Sequence, residues 1–578
     1  MTFRNAAFFA VSMMLLARAA FPQELPADSE IRKILADRVG AENLGIGMVV
    51  GVIDSKGRRV VGYGSPAKND KRPINGDTIY EIGSMTKVFT SLVLMDMVRK
   101  GEVSLTDPVA KYLPAGVKIP ERNGKKITLA DLSTQSSGLP RMPNNFHPKD
   151  ESNPYADYSP ELLYEFLSGY ELTRDIGSKY EYSNLGVGLL GHALSLRAGM
   201  DYEAMVRSRI CEPLGMNSTR VKLTADMKAR LAIGHSAGLS EVPNWDLTAL
   251  AGAGAIRSSA NDMLIFLAAN LGYTKTPLAA AMADEVSIRK PTGLPNMEIA
   301  YAWHIQTKDG RSIIWHNGGT GGYRTYMGFD PKNRTGVVVL SNISSAAGPD
   351  DIGRHILDAS YPLDKAEPIK EHKEVTVDTK VFDNYVGTYQ LAPNAMITFS
   401  REGDQMFTQL TGQPKFPVFP EGERKFFLKV VDAQLTFNVD AQGKATEVVL
   451  HQNGRDQAAK RVDEAQASAA LAAIAKRFKD QTAMPGSEAA LRGIIDGLRA
   501  GEPKYERMSP GFADVTRQQL PQLKGAIEQL GALESVTFKG VGPGGADIYS
   551  VKFEHGSTEW RIVLEPDGKI AGAGFTAQ

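Results

Sequence analysis

A serine and a lysine three residues apart, Ser84 and Lys87 in EIGSMTKVFTSLVL (81–94), are the first residues able to do chemistry together. On a helix, positions i and i+3 share a face, with Cβ atoms about 5–6 Å apart. Serine is a weak nucleophile until a neighbouring base takes its proton. A lysine set among apolar residues loses part of its preference for the charged form and can serve as that base. The start of the same helix would add backbone N–H groups and a positive dipole end for developing negative charge. A surface lysine on an ordinary helix accounts for the pair as well. The S-x-x-K pattern also arises by chance: SPAK at 65–68 matches it inside a turn, where Lys68 has no reason to face Ser65.

Two further stretches carry reactive types. Tyr182 and Asn184 stand just before a helix-like apolar run in YEYSNLGVGLLGHAL (180–194). A tyrosine near a lysine can share its proton network as general acid or base, and an asparagine amide can orient a lysine or bind a carbonyl. Taken singly, the stretch reads equally as a capped helix, with Ser183 or Asn184 as the cap. In IIWHNGGTGGYRTYMGFDP (313–331) an apolar strand end runs into His316, Asn317, Gly318 and Gly319. Glycines let a backbone approach a ligand closely. A strand edge can supply an oxyanion-hole N–H and pair with a peptide-like substrate. The alternative is a glycine-rich hairpin with a surface histidine.

These residues need elements to hold them. MVVGVIDSKGRRVVGYG (48–64) reads as two strands around a turn at Ser55-Lys56-Gly57, and GVVVLSN (336–342) as a buried strand. KVFTSLVLMDMVRKG (87–101) reads as a helix ending in a basic turn and a glycine. Strands at both ends of residues 25–362, with helices between, predict an α/β or α+β domain whose terminal strands share one sheet. Residues 363–380 are charged and carry a proline, which predicts a linker. Short strands with Gly and Asp turns follow over 381–462, an all-β, barrel-like module. Residues 466–578 pair amphipathic helices with meander strands in a small α+β module.

The chain has 578 residues, long enough for two to four domains. Lys plus Arg and Asp plus Glu both number 66, a balance that argues against a nucleic-acid partner. Cys211 is the only cysteine, so no intramolecular disulfide forms, and no activating neighbour marks it as a nucleophile. Arg4, the apolar run AAFFAVSMMLLA (6–17) and the small residues of ARA (17–19) predict a cleaved export signal over residues 1–19, hence a periplasmic or secreted protein. No later stretch is long and apolar enough to span a bilayer. No metal-ligand spacing, phosphate loop or dinucleotide fingerprint appears, so neither metal nor cofactor is expected. His304, in YAWHIQ, reads as a strand residue near the site.

EIGSMTKVFTSLVLMDMVRKG (81–101), VSLTDPVAKYLP, LSTQSSGLP, YSN, EPLGMNST, SSANDMLIFL and HNGGTGGY (316–323) follow one another in an order that resembles the penicillin-recognising serine hydrolases. That family includes class C β-lactamases, D-alanyl-D-alanine carboxypeptidases, D-aminopeptidases and related esterases. The resemblance spans roughly residues 30–360 and implies a β-lactamase/transpeptidase-like fold, a mostly antiparallel sheet flanked by helices. It implies that Ser84 is the acylated nucleophile, Lys87 its basic partner and Tyr182 a proton carrier. Asn184 would be a substrate-binding amide, and His316 and Gly318 the first and third positions of a K-T-G element. The N–H groups of Ser84 and Gly319 would form the oxyanion hole. Histidine in place of the K-T-G lysine is neutral more readily at pH 7, which favours the D-peptidase and esterase branches over a class C-like β-lactamase. Gln135 stands where many relatives carry histidine, and no catalytic role is expected of it. A rival of another class is a penicillin- or muropeptide-binding sensor without turnover. Residues 381–462 resemble a lipocalin-like β-module, through YVGTYQL and LHQNG. Residues 466–578 resemble the nuclear-transport-factor-2-like type. These two modules could gate the site or build an oligomer.

Overall fold

Val49 and Val50 point to opposite faces of one strand, yet both are fully buried. Successive strand side chains alternate between faces, so a sheet covered on both sides needs a continuous apolar run such as MVVGVI. The computed structural model describes residues 24–577 apart from 42–43, 346–347, 365–371, 393–394, 412–414, 453–454, 543 and 566. The expected export signal, and residues 365–371 of the expected linker, lie outside the described residues.

Strands β1 (Gly47–Asp54) and β2 (Gly57–Gly64) form the first hairpin. β3 (His304–Lys308), β4 (Arg311–Gly319), β5 (Arg324–Asp330) and β6 (Thr335–Ser341) follow 240 residues after it. The order across the sheet is β2-β1-β6-β5-β4-β3, extended by Met297–Ile299 and Lys290–Pro291, and these strand pairs are antiparallel. The first and last strands of the domain therefore pair, Val50 opposite Val339. On one face Met48, Val50, Val52, Val337 and Val339 pack with helices α1 (Asp28–Ala36) and α5 (Pro349–Leu357). On the other, Val49, Ile53, Val338 and Leu340 meet the main core. That core includes α2 (Thr86–Arg99), α3 (Asn184–Ala198) and α4 (Ala260–Asn270). Every residue of α2 from Thr86 to Met97 is buried. A helix enclosed on all sides needs no polar stripe, which is why its sequence lacks one.

Gly387–Ala392 to Arg455–Val462 close an eight-stranded antiparallel barrel, Thr388 pairing with Val462. The short helix Phe382–Tyr385 plugs one end, Tyr385 stacking on Phe437 at 4.5 Å. The last unit sets a four-stranded antiparallel sheet, Leu533–Val541 to Ile570–Ala577, against helices Glu464–Asp480, Ser487–Ala500 and Pro510–Leu530. The third of these helices was not legible in the sequence. It carries an internal Pro521 and a largely polar surface, which mask its period. Among the described residues no helix is long and apolar enough to cross a membrane.

Candidate active site

Ser84 occupies the tight turn Gly83–Met85 that leads into α2. The turn is fixed from three sides. Ile82 N–H donates to Ile256 O at 3.0 Å, Thr325 Oγ1 donates to Ile82 O at 3.0 Å, and Ile256 N–H donates to Thr86 Oγ1 at 3.1 Å. Strand β4 passes so close that a Cβ on Gly318 would stand 2.0 Å from Ile82 O. A Cβ on Gly83, whose φ is +51°, would stand 2.7 Å from Gly319 N. Both glycines are needed for this approach, which sets the backbone of Ser84 beside that of Gly319, the pair that the family resemblance implies for an oxyanion hole.

Lys87 is completely buried, one turn into the helix. Its Nζ lies 2.9 Å from Ser84 Oγ, 2.9 Å from Asn184 Oδ1 and 2.7 Å from the carbonyl oxygen of Ala253. Burial, and then the charge of Arg141, hold its pKa well below the usual lysine value, so the amine gives up its proton more readily than an exposed lysine does. A neutral amine has two hydrogens and one lone pair. Ala253 O can only accept. Asn184 presents Oδ1 to Lys87 while its Nδ2 faces Tyr155 Oη at 3.4 Å and Met142 Sδ at 3.8 Å. These two acceptors take both hydrogens, and the lone pair is left to accept the Ser84 hydroxyl proton.

Tyr182 borders the same cleft as Ser84, and burial pushes its phenol up to about 12, against the opposing influence of Ser84. The Lys87 Nζ lies 4.8 Å from the Tyr182 ring centre. Two neighbouring groups with pKa values displaced in opposite directions are suited to opposite roles, Lys87 to that of a base and Tyr182 to that of an acid. Ser183 caps α3 by accepting from Gly186 N–H at 2.8 Å, which fixes where Tyr182 and Asn184 begin.

His316 is fully buried behind Tyr182, ring centres 6.3 Å apart. Its Nδ1 lies 2.6 Å from Asn317 O, an acceptor, so Nδ1 carries the hydrogen and Nε2 presents a lone pair with no hydrogen-bond partner among the described residues. Burial, then the neighbouring His304 and Lys87, keep its pKa well below the usual histidine value. His304 stacks parallel to Tyr182 at 6.5 Å, its Nε2 3.0 Å from Tyr180 Oη, and burial pushes it down to about 4. The two histidines therefore share the site as neutral rings.

A cleft of about 430 Å³ opens over Ser84, walled by Tyr182, His304, Arg141, the Asn317–Thr320 segment and Arg324. The fold brings Ser84, Tyr182, Gly318 and Gly319 to this cleft. Lys87, Asn184 and His316 lie behind its wall, where Asn184 acts on Lys87. Three residues went unassigned in the sequence. Arg141 and Arg324 are isolated cations in their own segments, and only the fold brings them to Ser84. Gln135, given no role, accepts from the backbone on both sides of Tyr182: Ser183 N–H to Oε1 at 2.7 Å, Glu181 N–H to its carbonyl at 2.8 Å. Among the described residues no cluster of His, Cys, Asp and Glu could hold a metal ion.

A sequence profile of the family described as Beta-lactamase matches residues 33–360, more than half of the chain. The chain belongs to that family. Its members of known activity are serine hydrolases, and this chain is one. A second profile, a domain of unknown function (DUF3471), matches 371–463, the barrel. Penicillin-binding protein 4* of Bacillus subtilis is 26% identical over 425 residues, 69% of this chain and 91% of that protein. The D-alanyl-D-alanine-carboxypeptidase/endopeptidase AmpH of Escherichia coli K12 is 31% identical over 328 residues, 54% of this chain and 83% of the relative. A class C β-lactamase structure from Rhodobacter sphaeroides superposes with a TM-score of 0.50 at 25% identity, covering 57% of this chain and 98% of that one. The family's β-lactamase/transpeptidase-like fold is thus the fold of the first domain.

Proposed function

We propose that this hydrolase cleaves the amide or ester carbonyl of a D-amino-acid-containing peptide or small ester through an acyl-enzyme on Ser84. The lone pair of Lys87, directed at Ser84 because Asn184 and Ala253 take both amine hydrogens, carries the proposal. As Ser84 Oγ bonds to the carbonyl carbon, its proton passes to Lys87. The negative oxygen sits against the N–H groups of Ser84 and Gly319. Tyr182 gives its proton to the leaving group and recovers one from the Lys87 ammonium. In the second half the same pair takes a proton from water, the resulting hydroxide attacks the acyl carbon, and Oγ leaves and is reprotonated. The similarity to AmpH supports the D-peptide class. The charged start and apolar run before residue 20 support export to a periplasm or the exterior.

Intact-protein mass after brief exposure to a penicillin tests the nucleophile, beside Ser84→Ala. The expected result is a mass gain that Ser84→Ala abolishes, or, where turnover outruns trapping, loss of the lactam that Ser84→Ala prevents. An adduct or turnover that persists in Ser84→Ala would overturn the assignment. A folded enzyme that hydrolysed neither lactam, ester nor D-peptide would leave the binding-sensor reading in its place.

A further inference from the structure

Asn184 turns its Oδ1 to Lys87, and what stands at the other end of the amide decides that orientation. Tyr155 Oη lies 3.4 Å from Asn184 Nδ2, and Met142 Sδ lies 3.8 Å from it. Both residues belong to an irregular stretch, residues 134–159, that contains no helix or strand. The two ends of a carboxamide are alike in shape and opposite in hydrogen bonding, one accepting and one donating. Its orientation is therefore set by what each end meets. A thioether sulfur only accepts. The Tyr155 hydroxyl donates to Met142 Sδ at 3.6 Å, which leaves an oxygen lone pair toward Asn184. The amide nitrogen thus faces two acceptors, and the amide oxygen is left for Lys87 Nζ, 2.9 Å away.

Tyr155 is itself fixed by packing. It is buried, its ring centre 5.0 Å from that of Phe146 and 5.3 Å from that of Trp245. Its carbonyl accepts from Thr248 Oγ1 at 3.3 Å. Trp245 N–H donates to Glu81 Oε1 at 2.9 Å, and Glu81 precedes Ser84 by three residues. The phenol is tied in this way to the chain that leads into the nucleophile. Neither Tyr155 nor Met142 walls the cleft over Ser84. A reversed amide would point Nδ2 at the amine, and the lone pair of Lys87 would accept from Asn184 instead of from Ser84.

We propose that Tyr155, with Met142 behind it, is a positioning residue that locks the Asn184 amide in the one orientation that leaves the Lys87 lone pair to Ser84. This rests on the acyl-enzyme reading above.

The test is the pH dependence of kcat/KM in the full chain, with a neutral 4-nitrophenyl ester, whose leaving group needs no proton from Tyr182. Tyr155→Phe removes the oxygen and keeps the ring between Phe146 and Trp245. An amide oxygen favours the ammonium form of Lys87 over the amine, because hydrogen bonds to a charged group are the stronger. Freeing the amide to reverse should move the acidic limb of the profile to lower pH, while the plateau falls about threefold to tenfold, the range for one hydrogen bond. A merely structural role acts the other way: a loosened, wetter pocket returns the lysine toward its ordinary pKa and moves the limb up. The titratable and charged groups that act on Lys87 or stand beside it, Arg141, Tyr182, His304 and His316, are unaltered in the variant. Circular dichroism confirms folding, and Met142→Leu, which removes the sulfur acceptor, gives the same reading if Tyr155→Phe does not fold. In single-turnover acylation of Asn184→Ala, adding Tyr155→Phe should change nothing further. An unchanged profile in the folded variant, a limb that stays or moves up, or a further loss in the Asn184→Ala background would overturn the proposal. Ester hydrolysis that Ser84→Ala leaves intact would instead bring down the acyl-enzyme reading, and the positioning role with it.

Discussion

Gln135 grips the backbone on both sides of Tyr182. Its side chain accepts from Ser183 N–H and its carbonyl from Glu181 N–H, and it holds a left-handed φ of +58° to do so. Gln135→Ala removes the side-chain acceptor from a buried N–H, which costs about 1–3 kcal/mol, and frees Tyr182 to shift. The expected outcome is a folded enzyme with kcat/KM for an activated ester down by about tenfold, since loss of positioning is felt steeply. Gln135→Glu, which keeps an acceptor, should recover part of it. An unchanged kcat/KM in Gln135→Ala would show that the tyrosine is held by other means.

The rate should depend on pH in an unusual way. In the proposed mechanism the active form has a neutral Lys87 and a protonated Tyr182. Burial lowers the first pKa well below 10.5 and raises the second to about 12. Hydrolysis of a substrate without titratable groups should therefore rise through the depressed lysine pKa, then stay level into alkaline solution until the protein unfolds or Tyr182 ionises. A rate still climbing tenfold per unit between pH 8 and 10 would mean an ordinary, charged lysine.

Stability should record the same group. The lysine is protonated in the unfolded chain up to about 10.5 but gives up its proton more readily when folded. The unfolded state then binds more protons, so stability rises with pH across that window. Lys87→Met lacks this linkage, while its cost of leaving Asn184 Oδ1 and Ala253 O unpaired does not vary with pH. Denaturation in urea between pH 7 and 10 should show the unmodified protein gaining on Lys87→Met as pH rises. Parallel curves would contradict a depressed lysine.

Glycine 83 provides a steric prediction. Gly83→Ala places a Cβ 2.7 Å from Gly319 N at a φ of +51°. The clash and the strained backbone together cost about 2–4 kcal/mol and push the oxyanion strand from Ser84. Gly101→Ala shares the positive φ, +70°, but meets nothing within 4 Å, so it should lose only about 1–2 kcal/mol. Thermal melts and ester hydrolysis of the two variants separate backbone strain from damage to the site: only Gly83→Ala should lose most of its activity. Equal activity in both would remove Gly83 from the oxyanion argument.

The sequence by itself determined the kinds of chemistry available and the units that carry them. Apolar runs and turn residues marked the terminal hairpin and the buried strand that pairs with it, because run composition and turn chemistry are local properties. Ser84 and Lys87 were legible together because a helix fixes their spacing. Tertiary structure decided what those groups do. The direction of the Lys87 lone pair depends on Asn184 and Ala253, 97 and 166 residues away, and hydrogen-bond direction has no signature in local spacing. The neutrality of His316 comes from complete burial, which is set by everything packed around it. Gln135 looked inert because its contribution is a hydrogen bond to a neighbouring backbone. Arg141 and Arg324, ordinary cations in the chain, meet at one cleft only because the sheet and α3 are folded against each other.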